Sequence, residues 1–192
     1  MRPLSPSFRA ARQMEVSPVE GHPSEPDGFR AFVEARSSAL LRSGWLLTGD
    51  WPSAEDLVQT ALAAAWPRWE NLTRQDAPEL YVRKIMVNTF LRWRQRRWNG
   101  EIATGRLPEL QAYGDAFAQI DARQALIAAL DRLPARQRAV VVLRYFADQT
   151  ESQTAAAMGC SVGAVKSHAA KALARLRDAP GLAELMTGGV AS

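Results

Sequence analysis

Apolar residues return at three- and four-residue steps in blocks separated by Pro, Gly and Ser, a pattern that predicts an all-α chain. The first block, 29–47, carries Phe29, Phe32, Val33, Leu40, Leu41, Trp45 and Leu47, and the Thr48-Gly-Asp-Trp-Pro52 segment breaks it. Ser53 is expected to cap the next helix, with Asp56 three residues on in a capping-box-like position. That spacing turns Leu57, Ala61, Ala64 and Ala65 inward and leaves Asp56, Gln59, Thr60 and Ala63 outside. Pro67 is expected to end or kink this helix, and 70–78 reads as a loop. From Pro78 to Trp98, Val82, Ile85, Met86, Thr89, Phe90 and Trp93 share the inner face. Tyr81, Lys84, Asn88, Leu91, Arg92 and Gln95 lie opposite. Three helices with short connections predict a compact helical domain over 29–98.

Around this domain the pattern changes. Residues 1–28 contain five prolines and no apolar period, which reads as a flexible leader. Gly100, Gly105, Pro108 and Gly114 interrupt a mildly acidic stretch, so 99–119 is expected to be a flexible linker. Periodicity returns with Leu126, Leu130 and Leu133, and Pro134 suits the start of a further helix. Thr150 with Gln153 forms a capping box, Gly159 suits a helix C-terminus, and Ser161 caps a last helix. A short helix, a tight turn and a longer basic helix make a helix-turn-helix pattern, giving a second small domain over 120–178. The remaining 179–192 reads as a tail. On the last helix Val162, Val165, Ala169, Ala172, Leu173 and Leu176 are expected to be buried, while Gly163, Ser167, Lys171 and Ala174 point away.

Composition narrows the classes. In 192 residues, 47% are hydrophobic, enough for real cores and against general disorder. A net charge of +4 favours a polyanionic partner, but 24 basic residues face 20 acidic ones, so clustering matters more than the total. The single Cys160 excludes an internal disulfide and a multi-cysteine metal site, and reads as a small, buried apolar side chain. The chain has no apolar run long enough to span a membrane and lacks a secretory h-region, so a cytoplasmic protein is expected.

Two stretches carry candidate chemistry. Between 78 and 98, Arg83, Lys84, Arg92, Arg94, Arg96 and Arg97 are interleaved with Tyr81, Phe90, Trp93 and Trp98. Cations hold a phosphate backbone, and aromatic or amide groups meet unstacked bases. The stretch therefore suits single-stranded or melting DNA, or else is a solvated basic helix whose tryptophans are core. On the last helix, the outward residues are flanked by Lys166, His168, Arg175 and Arg177, and their small side chains suit entry into a major groove. An ordinary surface helix is the competing reading. No phosphate-binding loop, metal-ligand spacing or nucleophile arrangement supports an enzyme, and no cofactor is expected.

Taken together, these segments resemble a known family. WPSAEDLVQTALAAAW (51–66) resembles the core-polymerase-binding segment of bacterial sigma factors, and YVRKIMVN (81–88) their promoter-melting helix. LPARQRAVVVLRYF followed by AAAMGCSVGAVKSHAAKALARLR resembles the sigma region 4 helix-turn-helix. Two domains with a short linker resemble the extracytoplasmic-function (ECF) group, and Leu47-Thr-Gly-Asp50 resembles its actinobacterial sigma-E branch.

The resemblance covers 29 to about 178. It implies a non-enzymatic, dissociable initiation subunit with RNA polymerase core (β and β′ subunits) and promoter DNA as partners, and an anti-sigma factor as a possible one. Asp56, Gln59, Thr60 and Ala63 would dock on the β′ clamp helices, although Thr60 stands where an acidic residue is common. Thr73, Arg74, Gln75, Asp76 and Asn88 would form the pocket for a flipped −10 base, with Lys84 and Arg92 on the neighbouring strand. Lys166, Ser167, His168, Lys171 and Arg175 would contact the −35 duplex. The alternative function is a stand-alone helix-turn-helix regulator that uses its first domain to dimerise.

Overall fold

Eight α-helices account for most of the chain described by the computed structural model, which covers residues 26–74, 77–98 and 117–179. The leader up to residue 25, the stretch 99–116 and the tail from 180 lie outside the described residues, as do Gln75 and Asp76. In the N-terminal unit, α1 (Phe29–Thr48) and α2 (Trp51–Ala65) pack together, and α4 (Pro78–Trp98) lies across both. Leu40, Leu47, Leu57, Ala61, Val82, Met86 and Phe90 form the core between them. Gly44 permits the close approach of α1 to α2, since a Cβ there would stand 3.1 Å from the Ala54 carbonyl oxygen.

The break between α1 and α2 is built differently from the expected cap. Gly49 closes α1 in a left-handed conformation, its N–H donating to the Trp45 carbonyl. Asp50, rather than Ser53, is the N-cap of α2, its carboxylate accepting from the Ser53 N–H at 2.8 Å. Trp51 and Pro52 therefore belong to the first turn, where the missing proline N–H costs nothing.

The loop expected over 70–78 is largely helical. After Pro67 the chain continues through a 3₁₀ turn (Trp66–Arg68) into α3 (Trp69–Arg74). Aromatic packing provides the reason: Phe29 meets Trp66 and Trp69 edge-on at 4.7 and 4.8 Å, and Phe32 meets Trp69 at 4.9 Å. Each such pair contributes about 0.5–1.5 kcal/mol beyond burial. The Trp69 indole N–H also donates to the Asp27 carbonyl at 3.0 Å.

In the C-terminal unit α5 runs Phe117–Asp131, beginning inside the stretch expected to be linker. Next come α6 (Ala135–Val141), a π-helical turn (Val142–Phe146), α7 (Glu151–Met158) and α8 (Val162–Arg177). The local signals of the helix-turn-helix hold in full. Thr150 and Gln153 exchange both capping-box hydrogen bonds, Gly159 adopts a left-handed conformation, and the Ser161 hydroxyl accepts from the Ala164 N–H. Val162 and Leu173, expected to be buried, are exposed; α6 and α7 cover α8 from one side only, around Val165, Ala172 and Leu176. Cys160 is half-buried and free.

The two units pack against one another. α7 lies along α4, and the π-helical turn meets α1. Covered from both sides, α4 buries Arg83 and Val87 as well as Val82, Met86, Thr89 and Phe90, while Ile85 and Trp93 of its expected inner face are half-buried.

Candidate nucleic-acid and protein interface

Three exposed rows stand on this scaffold. On α2, Asp56, Gln59, Thr60 and Ala63 are all exposed, and Leu57, Ala61 and Ala65 fix the opposite face in the core. Positions i, i+3, i+4 and i+7 form one continuous stripe, so a partner helix can meet the four together.

The second row is on α4. Lys84, Asn88, Arg92 and Gln95 are exposed, with Tyr81 and Leu91 half-buried beside them. The Arg92 guanidinium donates to the Thr89 hydroxyl at 3.1 Å, which holds it against its own helix. Arg83 does not belong to this surface. It donates to Glu79 at 2.8 and 3.0 Å and to the Ser43 hydroxyl at 2.8 Å, joining α4 to α1. Arg36 reaches the same carboxylate at 3.3 Å. Of the basic residues counted along this helix, Arg83 is therefore structural.

Thr73 and Arg74 are exposed at the end of α3, close to the start of α4. The Thr73 hydroxyl donates to the Trp69 carbonyl at 3.0 Å, and Arg74 bonds Asn71 and the Glu70 carbonyl. With the only hydroxyl proton of Thr73 engaged, the group is left to accept rather than donate. Gln75 and Asp76 lie outside the described residues.

The third row is on α8. Gly163, Lys166, Ser167, Lys171, Ala174 and Arg175 are exposed on a 16-residue helix. Lys166 pairs with Glu151 of α7 at 3.6 Å, tying the outer helix to its scaffold. His168 is only half-exposed, and its Nδ1 is buried without a partner. Small side chains between cations let a helix approach a groove closely. Among the described residues no cluster of His, Cys, Asp or Glu is arranged to hold a metal ion. Among them, too, no helix is long and apolar enough to cross a membrane.

Comparison with known proteins divides the chain at the same place. Residues 32–100 match the family model of sigma-70 region 2, and residues 123–176 that of sigma-70 region 4. The RNA polymerase sigma-E factor of Streptomyces coelicolor is 42% identical over 150 residues, covering 78% of this chain and 84% of that protein. The ECF RNA polymerase sigma factor SigL of Mycobacterium tuberculosis is 29% identical over 154 residues, covering 78% and 86%. Among solved structures, the sigma factor RpoE of Bartonella quintana, crystallised with the anti-sigma factor NepR, is similar with a TM-score of 0.63. It is 25% identical, and the match covers 78% of this chain and 94% of that one.

Proposed function

Because the chain belongs to the sigma-70 family, as an RNA polymerase sigma factor of the ECF type, we propose that its three exposed rows divide promoter recognition between them. Asp56, Gln59, Thr60 and Ala63 dock on the β′ clamp helices of core polymerase. Lys84, Asn88 and Arg92, with the 73–76 segment, take the separated strand of the −10 element. Lys166, Ser167, His168, Lys171 and Arg175 meet the −35 duplex. The observation that carries this reading is the pairing of a basic, amide-bearing row on α4 with a groove-sized helix on α8 in one chain. A stand-alone regulator is not favoured, since the same chain matches region 2 as well as region 4.

The energetics favour a subunit over a solitary DNA-binding protein. Extracting a paired base costs a few kcal/mol, and stacking it recovers about 1–3 kcal/mol. These terms nearly cancel, so strand separation depends on contacts supplied by the polymerase. The chain acts by positioning rather than by bond chemistry, and its place of action is the cytoplasm, with the polymerase. An anti-sigma factor is a further partner, supported by the co-crystallised relative. The testing experiment is run-off transcription: adding the purified chain to core polymerase should make initiation promoter-dependent. Core that initiates no more selectively with the chain than without it overturns the reading.

A further inference from the structure

One charged side chain outside the three rows stands beside the segment assigned to the −10 base. Arg36 belongs to α1, one helical turn after Phe32, whose ring meets Trp69 of α3 at 4.9 Å. Its Nε lies 3.3 Å from the carboxylate of Glu79, in the first turn of α4. Packing from three helices thus brings Arg36 into one groove with Thr73, Pro78 and Glu79. Spacing along the chain gives no hint of this, because α1 lies far upstream of the 73–78 segment.

The charges gathered there do not cancel. One oxygen of Glu79 accepts twice from Arg83, at 2.8 and 3.0 Å. Arg83 is buried, and its Nη1 is spent on the Ser43 hydroxyl. Two cations against one anion leave a single positive charge, and it falls on the exposed member. The Arg36 side chain is 54% exposed, that of Arg83 only 5%. Apart from Arg36 and Glu79, the described residues lining the groove are uncharged. A guanidinium carries five N–H donors in a fixed fork, so with Nε on Glu79 its Nη groups can take a phosphate.

We propose that Arg36 holds a phosphate of the separated −10 strand, next to the base taken by the 73–76 segment. The inference rests on the promoter reading above and adds to it a contact from a helix outside the three rows. A base seated against Thr73 brings its own phosphates to the same groove. Charge at that point holds the strand whatever its sequence, while the pocket selects the base. An exposed ion pair such as Arg36 with Glu79 adds little to stability, so Arg36 can be replaced without loss of the fold.

The test uses the full chain assembled with core polymerase and a fluorescent single strand carrying a −10 sequence active in the run-off assay. Arg36→Gln should weaken binding about fivefold or more and flatten its logarithmic salt dependence by about 0.7. Arg36→Lys keeps the charge and should keep the slope. Replacing the strand's phosphates one at a time by neutral methylphosphonate locates the contact. At one linkage the replacement should weaken binding by the unsubstituted chain and have no further effect on Arg36→Gln. An unchanged slope, with losses that add at every linkage, overturns the proposal. Asn88→Ala tests the reading beneath it: affinity should fall while sensitivity to that linkage remains. If Asn88→Ala weakens binding and Arg36→Gln does not, Arg36 is dismissed and the promoter reading stands. If neither substitution matters, both fall. Circular dichroism checks that helix content is retained; should Arg36→Gln lose it, Arg36→Met, uncharged and of similar reach, takes its place.

Discussion

In the proposed division of promoter recognition, Asn88 and Lys171 belong to different readers, and single substitutions test them separately. Asn88 is exposed between Lys84 and Arg92, and its amide can both donate to and accept from a base edge. Its neighbours offer charge, which cannot distinguish an unpaired base from a paired one. Asn88→Ala should therefore reduce open-complex formation by about 1–3 kcal/mol, a five- to 150-fold loss, with core binding unchanged. Permanganate reactivity of −10 thymines reads the first, and competition against another sigma factor reads the second. Equal loss of both would assign Asn88 to the fold. Lys171 is proposed to act on the duplex instead. Lys171→Glu replaces a phosphate contact with repulsion, so holoenzyme binding to a −35-dependent promoter should weaken about tenfold or more. Its logarithmic salt dependence should become shallower by about 0.9. Transcription that stays normal from such a promoter would remove α8 from the −35 site.

Among elements, what the sequence made legible depended on the reach of the interactions involved. Thr150, Gln153, Gly159 and Ser161 act on backbone groups within a turn or so of themselves, and the helix-turn-helix they define was readable from spacing. The exposed stripes on α2 and α4 were readable for the same reason, because periodicity alone sets them. α3 was not, since Trp66 and Trp69 fold back on Phe29 and Phe32, far upstream in the chain. Nor was the burial of Arg83 and Val87, which follows from the number of elements packed around α4. Asp50 and Ser53 are both sound cap residues, and local sequence does not choose between them. Gly44 tests the α1–α2 contact directly. Alanine gains about 1 kcal/mol in helix propensity, but its Cβ would press on the Ala54 backbone at 3.1–3.3 Å. Overpacking against backbone costs about 1–3 kcal/mol, so Gly44→Ala should destabilise by about 1 kcal/mol net. All six tryptophans lie between 45 and 98, so a urea titration followed by their fluorescence reports on this unit. An unchanged or higher midpoint would mean that the helices separate at little cost.

For the whole molecule the deciding quantity is how weakly each half holds DNA alone. A formal charge of +4 is spread over 24 basic and 20 acidic residues, and Arg83 and Arg138 are spent inside the fold. Lys166 is paired with Glu151, which leaves Lys171, Arg175 and Arg177 as the α8 cations without that tie. A handful of phosphate contacts gives sequence-independent binding in the range of about 10⁻⁴–10⁻⁶ M at physiological salt. Reading both elements at once would add to this, and it requires the two readers to be set as far apart as the elements they meet. The isolated chain should therefore bind promoter and scrambled duplexes alike, with affinities no tighter than about micromolar, in a fluorescence anisotropy titration. The same promoter mixed with chain and core polymerase together should be bound at least about a thousandfold more tightly than scrambled DNA. Tight, sequence-specific binding by the chain alone would show that one half suffices, and would remove the need for a polymerase to hold the readers apart.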